Sequence, residues 1–221
     1  MNLLFKSLAF LLGGILFIAL MLFPFAGTLH FPNGWLLLGV VFLPMLAAGA
    51  VLLRLNPKLL EKRLNAKEKL GEQQLVIKLS ALMFIAGFAL AGLDYRFAWT
   101  QLPNWISHLA AVLYLLGYVL YAEVMRENTW LSRTIEVQAG QQVVSTGLYG
   151  IVRHPMYSAT LILFLSMPLI LGSLISFLCF LVYPVIIAKR IKSEEALLER
   201  GLSGYAEYKQ KVKYRLIPYI W

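Results

Sequence analysis

The chain has 221 residues, of which 60% are hydrophobic and only 14% charged. That balance leaves too little polar surface for a soluble protein of this length and points to an integral membrane protein. A net charge of +9 would suggest a nucleic-acid partner on a soluble chain; here the basic residues gather in particular loops, so no nucleic acid is expected and the charge is read as a topology signal.

The first apolar run extends from about Leu3 to Phe25. It is long for a signal-peptide core, and proline and aromatic residues follow it instead of a small-x-small cleavage site, so it is expected to stay as a spanning helix. Runs from Trp35 to Leu53, Val76 to Leu93 and Ile106 to Met125 follow, each long enough to cross with some tilt. The stretch Met156 to Ala188 is interrupted by Pro168, Gly172, Ser173 and Pro184, which predicts two short helices folded into a hairpin near Leu171 to Ser173. The expected fold is an all-α integral membrane protein of about six hydrophobic helices, in one membrane domain over residues 1–221. Residues 1–127 supply four transmembrane helices; residues 128–221 supply a loop, the helical hairpin and a C-terminal helical tail.

Lysine and arginine set the orientation. Arg54, Lys58, Lys62, Arg63, Lys67 and Lys69 fill one loop, Arg126, Arg133 and Arg153 the segment before the hairpin, and eight more the tail from Lys189 onward. By contrast, Ala26 to Gly34 has none and Asp94 to Asn104 only Arg96. The positive-inside rule then predicts that the basic loops, both termini and any site they build are cytoplasmic. The tail reads as helical from about Lys189 to Gln210, with a break at Gly201 and Gly204 and Leu197, Leu198 and Leu202 on an apolar stripe. Its end, "YKQKVKYRLIPYIW", mixes aromatic and basic residues as an interfacial anchor does.

Two clusters could do chemistry. In "GLYGIVRHPMYSATL", Pro155 suits the first position of a helix, while Arg153 and His154 before it could contact lipid phosphates or line a pocket. In "AKRIKSEEALLERGLSGYAEY", Arg190 and Glu194 are four apart on one helix face, as an exposed ion pair or as two groups converging on a ligand. The hairpin returns Arg190 toward Arg153 and His154, which favours the ligand. No phosphate-binding loop, dinucleotide fingerprint, C-x-x-C or H-E-x-x-H is present, and His30, His108 and His154 lie on different sides, so no metal site is expected. Cys179, the single cysteine, lies in an apolar run as a packing residue.

From Asn128 onward, "NTWLS", "GQQVVSTGLYGIVRHPMY", "RIKSEE", "GYAEY" and "YRLIP" resemble, in order and spacing, the isoprenylcysteine carboxyl methyltransferase family, whose wider group includes phospholipid methyltransferases. The resemblance implies S-adenosylmethionine as methyl donor, with Gln141, Gln142, Val143 and Val144 lining it, then Tyr149, then His154, Pro155, Met156 and Tyr157, and Glu194 completing the pocket. Arg190 is implied as the substrate-contacting arginine, so Arg190 and Glu194 are the residues expected to serve the reaction. Leu148 stands where many relatives have proline and Ala159 where many have glycine; the numbering of the glutamate pair leaves Glu195 as the alternative to Glu194.

A sulfonium donor suits aromatic faces such as Tyr149 and Tyr157, each worth about 0.5–2 kcal/mol. With a carboxylate acceptor no strong base is needed, because opposite charges are annihilated in a dry site and alignment is the main task. Arg190 would hold such a carboxylate with its planar fork; an amine or hydroxyl acceptor would need His154 or a glutamate as base. The expected partners are a lipophilic or lipid-modified acceptor and membrane lipids. Two other readings stand beside this one: a membrane NADPH-dependent reductase of sterol-reductase type, and a non-enzymatic small transporter or assembly factor.

Overall fold

A computed structural model describes residues 2–64, 71–100, 102–131 and 137–221. Lys67, Lys69 and Arg133 of the basic loops lie outside the described residues. The first four apolar runs form α1 (Leu3–Ala26), α2 (Pro32–Leu55), α4 (Gly71–Phe97) and α5 (Asn104–Glu127), with a short α3 (Pro57–Leu64) between the second and third. Each long helix has at least 24 residues, about 36 Å at 1.5 Å per residue, which exceeds a hydrocarbon core of about 30 Å. Their ends have local causes. Gly27 stops α1 with φ 70° while its N–H donates to Phe23 O, and Pro32 opens α2 where its missing N–H costs nothing. Hydropathy could not announce α3, whose Lys58, Glu61 and Arg63 accompany buried Leu59 and Leu60.

Among the described residues five segments are long and apolar enough to span a membrane: Leu3–Ala26, Pro32–Leu55, Gln74–Phe97, Asn104–Glu127 and Leu174–Gly201. The sixth hydrophobic piece, α6 (Pro155–Ile170), has 16 residues and a length of only about 24 Å. Large side chains such as Phe5, Leu12, Leu43 and Val119 face outward, a surface suited to lipid and costly in water. The chain is therefore a multi-pass, all-helical membrane protein among its described residues.

The hairpin turns at Leu171–Ser173. Gly172 takes φ 77°, and the Ser173 hydroxyl accepts the Ser176 N–H to cap α7 (Leu174–Phe180). The returning arm is divided at Leu181 and Val182 into α7 and α8 (Tyr183–Gly201), with Pro184 in the first turn of α8. At this end of the bundle buried Asp94 accepts the Thr100 N–H at 2.7 Å and the hydroxyls of Thr100 and Ser173, while Asn33 donates to Ser107 at 3.2 Å. Close packing fixes the arm, because a Cβ on Gly87 of α4 would collide with the Phe180 ring.

At the opposite end α8 runs on past the bundle to Gly201, and after Gly204 (φ 82°) α9 (Tyr205–Lys211) begins. The expected tail helix is thus the continuation of a hairpin arm plus one short helix. The last residues then fold back on the hairpin entrance: the Arg153 N–H donates to Tyr214 O and the His154 N–H to Arg215 O, both at 2.9 Å. Val212 and Leu216 are buried in this packing, whereas Ile217, Tyr219 and Ile220 keep large exposed apolar surfaces. The end expected as an interfacial anchor thus packs on the protein along one side and stays open along the other.

Candidate active site

Pro155 occupies the first position of α6 and is fully buried, so Tyr157 two residues later points from the first turn toward α8. Its hydroxyl accepts from Arg190 Nε at 2.9 Å and donates to Glu194 Oε2 at 2.5 Å. Arg190 and Glu194 are therefore joined through a tyrosine from another helix. The phenol fixes the guanidinium and the carboxylate side by side, a more rigid arrangement than two long side chains could hold on a helix surface.

The neighbouring glutamate has a different task. Glu195 is buried and accepts from Arg153 Nε at 2.8 Å, Arg215 Nε at 3.0 Å and His154 Nε2 at 3.2 Å. Arg153 also donates to the carbonyls of Val212 and Lys213, each at 2.7 Å. These bonds tie the hairpin entrance, α8 and the final segment together, and they place Arg153 in structural anchoring rather than in headgroup contact. Removing one member of such a buried charge cluster leaves the others desolvated and unpaired.

The loop before the hairpin is held from α5. Glu127 accepts the Leu148 N–H at 3.0 Å, and Gly147 (φ 50°) lies so close to that carboxylate that a Cβ would overlap it. The N–H used here is one that proline at position 148 could not supply. The next residue, Tyr149, is buried in the short 3-10 turn Gly147–Gly150, and its hydroxyl accepts from Asn128 at 3.0 Å. Asn128 also caps the Trp130 N–H, and Gln138 and Gln141 exchange bonds that fold the intervening turn.

These elements enclose a cavity of about 100 Å³. Of the residues expected to surround a cofactor, Gln141, Gln142, Val143, Val144, Tyr149, His154, Met156, Tyr157 and Glu194 line it, together with Arg190. Pro155 does not; it sets the helix that carries its neighbours. Arg153 lines the cavity too, besides its anchoring bonds, and the wall is completed by Asn128, Trp130, Leu131, Leu198, Leu202, Tyr205 and Tyr208, to which sequence reasoning gave no place in a pocket. Leu202, Tyr205, Tyr208 and Val212 form a small core of their own that Val137, Val143 and Leu198 pack against, so the tail clamps the loop. The Tyr208 hydroxyl donates to Tyr149 O at 2.8 Å, whereas the buried Tyr205 hydroxyl has no hydrogen-bond partner among the described residues. Burial pushes the phenols of Tyr149, Tyr205 and Tyr208 above their ordinary range, so all three remain protonated at neutral pH.

The donor set fits a nucleoside-bearing sulfonium. Aromatic faces and one carboxylate suit the cation, and hydroxyl and amide groups suit a ribose and a purine. Among the described residues no group of three or more His, Cys, Asp or Glu could hold a metal ion.

Residues 105–203 match the phospholipid methyltransferase family. Over its whole length the chain superposes on the solved structure of the eukaryotic intramembrane Ras methyltransferase ICMT (isoprenylcysteine carboxyl methyltransferase), with a TM-score of 0.51, 17% identity and 88% of that chain covered. The matched residues are somewhat under half of the chain, and at 17% identity the likeness to the solved methyltransferase is one of fold. Sequence similarity also reaches a second enzyme class: a delta(14)-sterol reductase of Mus musculus is 28% identical over 51% of this chain, and one of Methylotuvimicrobium alcaliphilum is 25% identical over 55%. The chain covers only 30% and 32% of those two proteins, about a third of their length.

Proposed function

We propose that the chain is a membrane methyltransferase that uses S-adenosylmethionine to methylate a lipophilic acceptor, with the site at the cytoplasmic end of the bundle. The observation that carries this reading is the Arg190–Tyr157–Glu194 relay on the wall of the aromatic-lined cavity. When bound, S-adenosylmethionine supplies an electrophilic methyl group on a sulfonium. Glu194 and the faces of Tyr149 and Tyr157 would hold its cationic part; Gln141 to Val144 would line its flank. Arg190 would hold the acceptor at the correct angle, and alignment of this kind is worth roughly 7–11 kcal/mol of barrier.

A second cavity, of about 590 Å³, supports a lipophilic acceptor. Its wall is mostly apolar residues of α1, α2 and α6, with Tyr114, Tyr118 and Tyr121 from α5. Thr160 also lines it, one turn along α6 from Tyr157, and accepts the Tyr183 hydroxyl at 2.8 Å while donating to Tyr157 O. Helix α6 thus carries residues of both cavities, an arrangement that would let an apolar tail rest among helices while its polar end approaches Arg190.

The reductase reading rests on the similarity to the two sterol reductases. Against it stands the way the pocket's cations are committed: a dinucleotide brings phosphates, yet Arg153 is engaged with Glu195 and two carbonyls, Arg190 donates to Tyr157, and Glu194 faces the same cavity. Purified protein incubated with methyl-labelled S-adenosylmethionine and a membrane lipid extract separates the two. Label in the organic-soluble fraction is expected; oxidation of NADPH with a sterol and no label transfer would contradict the methyltransferase reading.

A further inference from the structure

Tyr205 stands apart from the other phenols of the pocket. Tyr149, Tyr157 and Tyr208 all make hydrogen bonds through their hydroxyls, to Asn128, to Arg190 and Glu194, and to Tyr149 O respectively. Tyr205 is only 4% exposed, lines the same cavity, and its oxygen is shielded with no partner among the described residues. A buried hydroxyl is normally satisfied, and the cost of leaving one unmade exceeds the gain from making one. At this place in the fold a ligand is the partner that can satisfy it.

Which part of a ligand follows from the surroundings. The hydroxyl lies in the field of Glu194 and Glu195, and burial with these charges keeps it protonated, so it donates. A sulfonium or ammonium has no lone pair to accept that bond. A carboxylate or phosphate could accept it, but would be set against two glutamates, while the nearby Arg153 already directs its donors to Glu195 and two carbonyls. A neutral oxygen or nitrogen acceptor meets neither objection.

We propose that Tyr205 is a cofactor-binding residue whose hydroxyl donates to a neutral acceptor of the donor's nucleoside, a ribose oxygen or a purine ring nitrogen. This rests on the methyltransferase reading and extends it to the C-terminal tail: the nucleoside is gripped by α9, while the loop before the hairpin and α8 supply the rest of the pocket. Binding then satisfies a group that the empty protein leaves unsatisfied, and occupancy tightens the contact between α9 and the loop.

The test is calorimetric titration of full-length wild type, Tyr205→Phe and Tyr208→Phe with S-adenosylhomocysteine and with 5′-methylthioadenosine, which keeps the nucleoside and lacks the amino-acid end. Melting of each empty protein is recorded alongside. Tyr205→Phe is expected to weaken both ligands about three- to tenfold and to melt no lower than wild type, whereas Tyr208→Phe melts lower because it loses its bond to Tyr149. Unchanged affinity in Tyr205→Phe, a loss confined to S-adenosylhomocysteine, or a lower melting temperature of empty Tyr205→Phe would each overturn the assignment. Wild type that binds neither ligand would instead overturn the methyltransferase reading and this assignment with it.

Discussion

The two ends of the bundle are fastened by different chemistry. At the hairpin tip, Asp94, Thr100, Ser173, Asn33 and Ser107 form hydrogen bonds between turns, with no charged partner for the carboxylate among the described residues. At the site end, Arg153, His154 and Arg215 converge on one buried glutamate, and three segments far apart in sequence depend on it. A turn needs only local bonds to stay closed. A pocket assembled from a loop, a helix and a folded-back tail needs a common anchor, and Glu195 is that anchor.

The contrast is broken most severely by Glu195→Gln, which leaves Arg153 buried without its counter-charge. A loss of about 3–5 kcal/mol is expected, seen as a lower detergent-resistant melting temperature and early proteolysis after Gly201. Next in size is Arg190→Lys: the flexible ammonium keeps the charge and loses the planar fork, so methyl transfer should fall at least tenfold, about 1.4 kcal/mol of barrier, while binding of S-adenosylhomocysteine changes little. Full activity of this variant would remove Arg190 from acceptor binding.

Smaller effects sharpen the role of the loop. Leu148→Pro removes the N–H held by Glu127 and should cost about 1 kcal/mol; in that background Glu127→Ala should add almost nothing, a coupling readable in a double-mutant cycle. The smallest effect belongs to the exposed Glu123–Arg126 pair on α5, where Glu123→Ala should leave melting and binding at wild-type values.

Much of the fold was legible because membrane helices declare themselves by length. The four runs, the hairpin turn and the break near Gly204 all lie where proline, glycine and hydropathy put them. What hydropathy could not show was α3, whose charges hide two buried leucines; the division of the return arm at Leu181 and Val182 carried a single signal, Pro184, which sits in the first turn of α8.

The site was legible where spacing on one helix does the work, and not where tertiary contact does. Arg190 and Glu194 share a face by their four-residue spacing, but only the fold reveals Tyr157 between them. The pair Glu194 and Glu195 illustrates the limit: one residue of helical rotation sends the first to the cavity and the second to the anchor. Tyr205 and Tyr208, three apart behind Gly204, carried a faint signal as one aromatic face on a short helix. Without the position of the tail that face had no destination, and the basic, aromatic end read as a membrane anchor.

The central claim is that the cavity between the loop, α8 and the tail binds a methyl donor. Calorimetric titration of purified protein with S-adenosylhomocysteine and, separately, with NADPH addresses it most directly. Saturable binding of S-adenosylhomocysteine with a stoichiometry near one, and no heat with NADPH, is the expected result. Tight binding of NADPH with none of S-adenosylhomocysteine would contradict it.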